Sequence, residues 1–201
     1  MTEAEWWARR DARELLSLVR DEVSHRKFRL FACASCLAFA RYDDRIGDML
    51  SVIERYADEE ATWNDLSAVR KAARDLVKEA MQRRLNLGGG AVQYIEAAAH
   101  PSALHAAESV APLHEVTAFR DIIHNPFRAP LIPRTVLTWN DGTVPRIAQG
   151  IYDGRAFDRM PILHDALLDA GCDDEDILAH CRGAGPHVRG CWVIDLILGK
   201  S

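Results

Sequence analysis

Apolar side chains recur every three to four positions along most of this chain, which is the spacing that places them on one face of an α-helix. Near the N-terminus, Leu15, Leu16 and Val19 follow this spacing, and Thr2 and Glu5 have the form of a capping box that begins a helix. The pattern therefore predicts an all-α fold class, built as a compact helical bundle.

A nearly surrounded helix is expected after residue 28. Residues 30–40 carry no charge, and Phe28, Phe31, Ser35 and Phe39 fall on one helical face. Such a helix packs against neighbours on most of its sides, so it belongs at the centre of the bundle.

Two adjacent tryptophans, Trp6 and Trp7, lie on the first predicted helix. On a helix their side chains point about 100° apart, so both are buried only if the N-terminus is well covered. We therefore expect at least one of them to be an exposed contact residue.

The fourth predicted helix has Thr62 as its N-cap, and three consecutive glycines at residues 88–90 mark its end. We expect a single helical domain over residues 1–201. Its internal hinge would lie at residues 88–90, between an N-terminal helical bundle (1–87) and a C-terminal helical half (91–201).

Turn-forming residues concentrate in one stretch of the C-terminal half. Four prolines from Pro126 to Pro145, together with an Asn-Asp-Gly turn signal, predict an irregular Pro-rich loop around residues 126–144. The apolar stretch that follows Pro186 could be a buried helix or a strand, and its length and pattern favour a helix.

Charge and composition narrow the class of protein. The formal net charge of -5 is spread over interleaved acids and bases, which disfavours a nucleic acid partner. No uncharged apolar run approaches the length of a bilayer span, and residues 1–5 lack the features of a secretory signal. We therefore expect a cytoplasmic protein that has no membrane partner and keeps its five cysteines as free thiols.

The densest group of metal-binding residue types lies near the C-terminus. Cys172, Cys181, His187 and Cys191 would supply three thiolates and an imidazole, which is a legitimate tetrahedral zinc set. The alternative is that these cysteines are small core residues and the histidines lie on the surface. Cys33-x-x-Cys36 offers only half of the ligands that zinc needs, so tight helix packing explains it better.

A carboxylate, Asp195, interrupts the apolar segment near the C-terminus. A buried carboxylate needs a partner, and Arg182 or Arg189 could form a salt bridge with it. The alternative to such structural roles is catalysis of hydrolysis. In that case Cys181 or Cys191 would act as a thiol nucleophile, or Asp195 would act as a general acid. No oxyanion-hole motif accompanies these residues, which makes a hydrolase the least favoured reading.

Two tracts of the chain resemble one known family. The tract from Leu137, LTWNDGT…FDRMPILHDAL…GCDDEDILAHCRG…GPHVRGCWVIDLILGK, and the start, MTEAEWWARRDARELL, resemble an uncharacterised planctomycete protein family. Members of that family often occur as many similar copies, some beside repeat or scaffold-like modules. The resemblance therefore implies a binding or regulatory role.

From these observations we expect a non-enzymatic helical interaction or regulatory module whose partner is a protein. The alternatives are a structural zinc-binding protein that uses its C-terminal Cys and His residues and, less favoured, a thiol- or carboxylate-dependent hydrolase. The expected binding face consists of Trp139, Asn140, Asp141, Arg182, His187, Arg189 and Asp195.

Overall fold

The computed structural model describes residues 2–87, 91–111 and 116–201. Within these ranges it contains twelve α-helices and no β-strand, which confirms the all-α fold class. None of the helices in the described ranges is long and apolar enough to cross a bilayer.

In chain order the helices are α1 (Glu3–Ala8), α2 (Ala12–Val19), α3 (His25–Cys36), α4 (Asp44–Ala57), α5 (Trp63–Arg83), α6 (Ala91–Ala98), α7 (Ala103–Val110), α8 (Val116–Ile122), α9 (Arg134–Gly154), α10 (Met160–Asp169), α11 (Glu175–Arg182) and α12 (Trp192–Leu198). They form two compact units, Ala8–Val116 and Met1–Trp7 together with Thr117–Ser201. The hinge predicted at residues 88–90 lies outside the described residues.

The predicted first helix is divided into α1 and α2. The capping box of α1 is present, because the backbone N–H of Thr2 donates to Glu5 Oε2 at 2.7 Å. Asp11 then begins α2, since its side chain accepts a hydrogen bond from the Arg13 backbone N–H. Trp6 is fully buried and Trp7 is 49% exposed, which confirms that one of the two is exposed.

Helix α3 lies at the centre of the unit Ala8–Val116, as its uncharged sequence predicts. Every side chain from Phe28 to Cys36 is buried. The buried Arg29 guanidinium donates to the carbonyl oxygens of Ala98 and Pro101, both at 3.0 Å, so this charged group satisfies backbone acceptors. Cys33 and Cys36 are buried free thiols.

The longest helix of this unit, α5, begins where the sequence predicts but ends earlier. Thr62 and Asp65 form a full capping box at its start. Arg84 adopts a left-handed conformation with φ of 53° and ends the helix after Arg83, so the expected end at the triple glycine is wrong. A left-handed residue stops the backbone hydrogen-bond pattern without needing glycine.

The Pro-rich region of the second unit is less irregular than predicted. Residues 123–133 have no helical structure, but α9 begins at Arg134. Within α9 the backbone is non-helical only from Trp139 to Gly142, at the Asn-Asp-Gly turn signal. The final segment is the helix α12, as favoured, and its apolar face joins the core formed with α9 to α11.

The capping box at Thr62 gives a test of this helix assignment. We expect Thr62→Ala to lower the free energy of unfolding by about 1 kcal/mol, because it removes the side-chain acceptor for the Asp65 N–H. Ser67→Ala is the matched control, since Ser67 is exposed in the interior of α5 and should change stability by less than about 0.5 kcal/mol. Urea unfolding of both variants measures the difference, and equal stability would contradict the capping role.

Candidate metal centre

In the unit formed by Met1–Trp7 and Thr117–Ser201, several polar side chains converge on a buried carboxylate on α8. Asp121 is 3% exposed, and its Oδ1 lies 2.8 Å from His187 Nδ1 and 3.1 Å from His180 Nε2. Its other oxygen, Oδ2, accepts a hydrogen bond from the Val188 backbone N–H at 2.9 Å. One carboxylate therefore connects α8 with α11 and with the segment before α12.

A thiol completes the cluster. Cys191, the residue before α12, places its Sγ 3.1 Å from His180 Nε2. One ligand atom from each of Asp121, His180, His187 and Cys191 lies within 4.8 Å of the other three. Two imidazoles, a carboxylate and a thiol are the residue types that bind zinc and related transition metals.

Burial and hydrogen bonding oppose each other in this cluster. Burial alone raises the pKa of Asp121, but hydrogen bonds from His180 and His187 outweigh it and hold this pKa below its ordinary value. Burial lowers the pKa of His187, yet the hydrogen bond to Asp121 and its negative charge raise that pKa overall. Complete burial raises the pKa of the Cys191 thiol well above its ordinary value.

The turn before His187 depends on a glycine. Gly185 has a φ of +86°, and a Cβ built there would lie 2.8 Å from the His187 backbone nitrogen. Only glycine adopts this conformation without a clash, so Gly185 allows the chain to bring His187 against Asp121. The second ring nitrogen of His187, Nε2, lies 3.2 Å from the Gly183 carbonyl oxygen.

An indole group holds the second histidine. Trp192 Nε1 donates a hydrogen bond to His180 Nδ1 at 3.1 Å, and the two rings lie 5.0 Å apart between centroids. His124 contacts the same indole, with a centroid separation of 4.4 Å. The orientation of the His180 ring is thus fixed from the side opposite to Asp121.

A cavity of about 460 Å³ borders the cluster. Asp121, His180 and His187 contribute to its wall, together with the indoles of Trp6, Trp7 and Trp192. Across the wall, Arg128 forms ion pairs with Glu3 at 2.8 Å and with Asp176 at 2.9 Å. The wall of the cavity therefore contains three indole rings and an arginine whose charge is paired with two carboxylates.

The metal set that the sequence predicts is brought together only in part. His187 and Cys191 belong to the cluster, whereas Cys172 and Cys181 are buried thiols outside its four members. Sequence reasoning missed Asp121 as a candidate ligand and did not include His180 in the chosen set. The available signal was Asp121 itself, a carboxylate on the apolar face of α8 that needs buried partners.

The predicted binding face is spread over surface and core. Asn140 and Asp141 are exposed at the break in α9, where both have left-handed conformations, and Arg182 is exposed at the end of α11. The indole of Trp139 is partly buried and packs against the core of its unit.

Two charged members of that face are buried. Arg189 is 9% exposed, and its guanidinium lies 4.5 Å from the centre of the Tyr152 ring. Asp195 is 2% exposed on α12. Neither side chain is presented to solvent, because each belongs to the packed interior of its unit.

Burial also bears on the thiol chemistry considered from the sequence. It raises the pKa of Cys181 to about 12, so this thiol is protonated at neutral pH. The same effect raises the pKa of Cys191, as described above. A thiolate nucleophile at either position is disfavoured, because a nucleophilic cysteine needs a lowered pKa and access to substrate.

No family model, curated protein or solved structure matches this chain. The resemblance to the planctomycete family therefore stays an expectation.

Thiol accessibility is directly measurable. All five cysteines are buried free thiols, and burial raises the pKa of Cys36 and of Cys181 to about 12. We expect a disulfide reagent such as Ellman's reagent to label the folded protein slowly and to label all five cysteines once denaturant is added. Prompt labelling of several thiols in the folded, metal-free protein would contradict this burial.

The raised pKa of His187 predicts a pH dependence of stability in chelator-treated protein. The pair with Asp121 contributes fully below the ordinary histidine pKa of about 6.5, and this contribution is lost as pH rises through the higher folded-state pKa. His187→Gln does not titrate. We expect urea unfolding to show that the stability difference between wild type and His187→Gln shrinks from weakly acidic to alkaline pH, and a constant difference would refute the pairing.

Proposed function

We propose that this protein binds a zinc ion in the unit that contains α8 to α12, and that the ion holds the segment before α12 against α8 and α11. The observation that carries the proposal is the convergence of Asp121, His180, His187 and Cys191 from separate parts of the chain. Donors this far apart in sequence meet only when the unit is folded, so binding of the ion would stabilise the fold.

The kinds of donor atom favour zinc over magnesium or calcium. Imidazole nitrogen and thiolate sulfur are typical zinc ligands, whereas magnesium and calcium prefer shells made of oxygen. Cys191 and His187 supply sulfur and nitrogen here, with one carboxylate oxygen from Asp121.

The present spacing of the donors suits an exchange of protons for the ion. The contact between His187 Nδ1 and Asp121 Oδ1 is 2.8 Å, a hydrogen-bond distance. Ligand atoms around tetrahedral zinc lie about 3.4 Å apart, given ion-to-ligand distances near 2.1 Å. A small outward movement and the loss of the bridging proton would therefore make room for the ion.

Backbone groups next to the proposed ligands form the hydrogen bonds that orient ligands in metal sites. If His187 Nδ1 binds the ion, its Nε2–H faces the Gly183 carbonyl oxygen, which lies 3.2 Å away. Asp121 Oδ2 already accepts the Val188 N–H, which leaves Oδ1 for the ion. Such outer contacts orient metal ligands and raise their affinity.

The expectation of an interaction or regulatory module with a protein partner is compatible with a structural ion. A zinc ion that fixes a loop gives a small helical unit a rigid surface without adding a reaction. Arg182, Asn140 and Asp141 are the exposed members of the expected binding face, so they are the side chains that a partner could contact.

Metal analysis tests the proposal. Protein produced with added zinc should retain about one equivalent after gel filtration, and Asp121→Asn, His187→Gln and Cys191→Ala should each retain less than about a tenth of an equivalent. Cys172→Ala is the matched control, because it also removes a buried thiol but one outside the cluster, and it should retain the ion.

Thermal unfolding gives a second readout. Zinc at a thousand times its dissociation constant should stabilise the wild-type protein by about 4 kcal/mol and leave Cys191→Ala unchanged. A wild-type protein that holds less than about a tenth of an equivalent and shows no thermal shift with zinc would rule the proposal out.

A further inference from the structure

We infer that His180 is not a ligand of the proposed ion, and that Asp121, His187 and Cys191 leave one coordination position open toward the cavity for a small organic carboxylate. The inference rests on the proposed zinc binding. It replaces a closed shell of four protein ligands by a shell of three with an exchangeable fourth partner.

The hydrogen bond from Trp192 decides the role of His180. An indole N–H can only donate, so His180 Nδ1 must accept and therefore carries no proton. A neutral imidazole has its single proton on the other nitrogen, which places it on Nε2. An Nε2 that carries a proton has no lone pair for a metal ion.

The contacts of His180 Nε2 agree with a donor at that position. It lies 3.1 Å from Asp121 Oδ1 and 3.1 Å from Cys191 Sγ, and both atoms accept hydrogen bonds. His187 differs in this respect, because its outer nitrogen faces a carbonyl oxygen and can keep the proton when Nδ1 binds the ion. The two histidines therefore have different roles in one cluster.

The cavity offers the space for the additional ligand. Asp121, His180 and His187 form part of the wall of a cavity of about 460 Å³, large enough for a small organic molecule. Trp7 and Trp192 supply apolar wall for its tail. A carboxylate is favoured as its head, because one oxygen could bind zinc while the other accepts a hydrogen bond.

The indole N–H of Trp6, another residue of the cavity wall, lacks an acceptor among the described residues. Trp6 is fully buried beside the cavity, and among the described residues its Nε1 has no hydrogen-bond partner. A buried N–H without an acceptor costs about 1–3 kcal/mol. A ligand that places an oxygen within hydrogen-bond distance of Trp6 Nε1 would relieve that cost.

Cobalt substitution of the full chain tests the inference, with benzoate as the probe. We expect benzoate to change the visible absorption spectrum of the cobalt-loaded wild type, because it enters the ligand shell. Trp192→Phe removes the indole donor and lets the proton move to His180 Nδ1. Nε2 then becomes the fourth ligand, so this variant should bind cobalt about tenfold more tightly and lose the benzoate response.

Two further variants keep the test decisive. Trp63→Phe, a change of an equally exposed tryptophan on α5 and outside the cavity wall, should retain the wild-type affinity for cobalt and the response to benzoate. His180→Ala should retain cobalt with less than about a tenfold loss of affinity. If circular dichroism shows that Trp192→Phe is unfolded, the cobalt affinity of His180→Ala decides whether His180 is a ligand.

Three outcomes are separate from one another. A wild type that binds cobalt but does not respond to benzoate, or a folded His180→Ala variant that no longer binds cobalt, overturns the inference and leaves the proposed function intact. Failure of the wild type to bind either zinc or cobalt overturns both.

Discussion

The buried carboxylate of Asp121 is the constraint on which the rest of the second unit's polar structure depends. A charged group removed from water needs several donors, and this one receives them from His187, His180 and the Val188 N–H. Each donor comes from a segment outside α8. The need to satisfy one carboxylate therefore fixes where α11 and the segment before α12 lie relative to α8.

The negative charge of the Asp121 carboxylate can be balanced in two ways. In the metal-free protein, the hydrogen bonds that Asp121 accepts from His180 and His187 stabilise its negative charge and keep its pKa low despite burial. A zinc ion would balance the same carboxylate together with the Cys191 thiolate, at the cost of releasing protons. If the cluster binds the ion, stability and metal affinity depend on the same few atoms.

Trp192 connects the cluster with the cavity. Its indole forms part of the cavity wall and at the same time sets the position of the proton on His180. A group that lies outside the ligand shell can in this way decide whether a histidine donates a proton or a lone pair. Through this hydrogen bond Trp192 would influence the proposed ion without binding it.

The sequence by itself predicted the all-α class, the capping boxes at Thr2 and Thr62 and the kinds of side chain present near the C-terminus. It did not predict the break between α1 and α2 or the start of α9 at Arg134. Capping at Thr62 and the three-to-four-residue period act within a few positions, so they can be read without knowledge of the fold. It also placed His187 and Cys191 among candidate ligands. Only the tertiary structure decided that Asp121 and His180 lie in one cluster with them while Cys172 does not. Which buried polar atoms meet across the core depends on the fold, and spacing along the chain does not specify it.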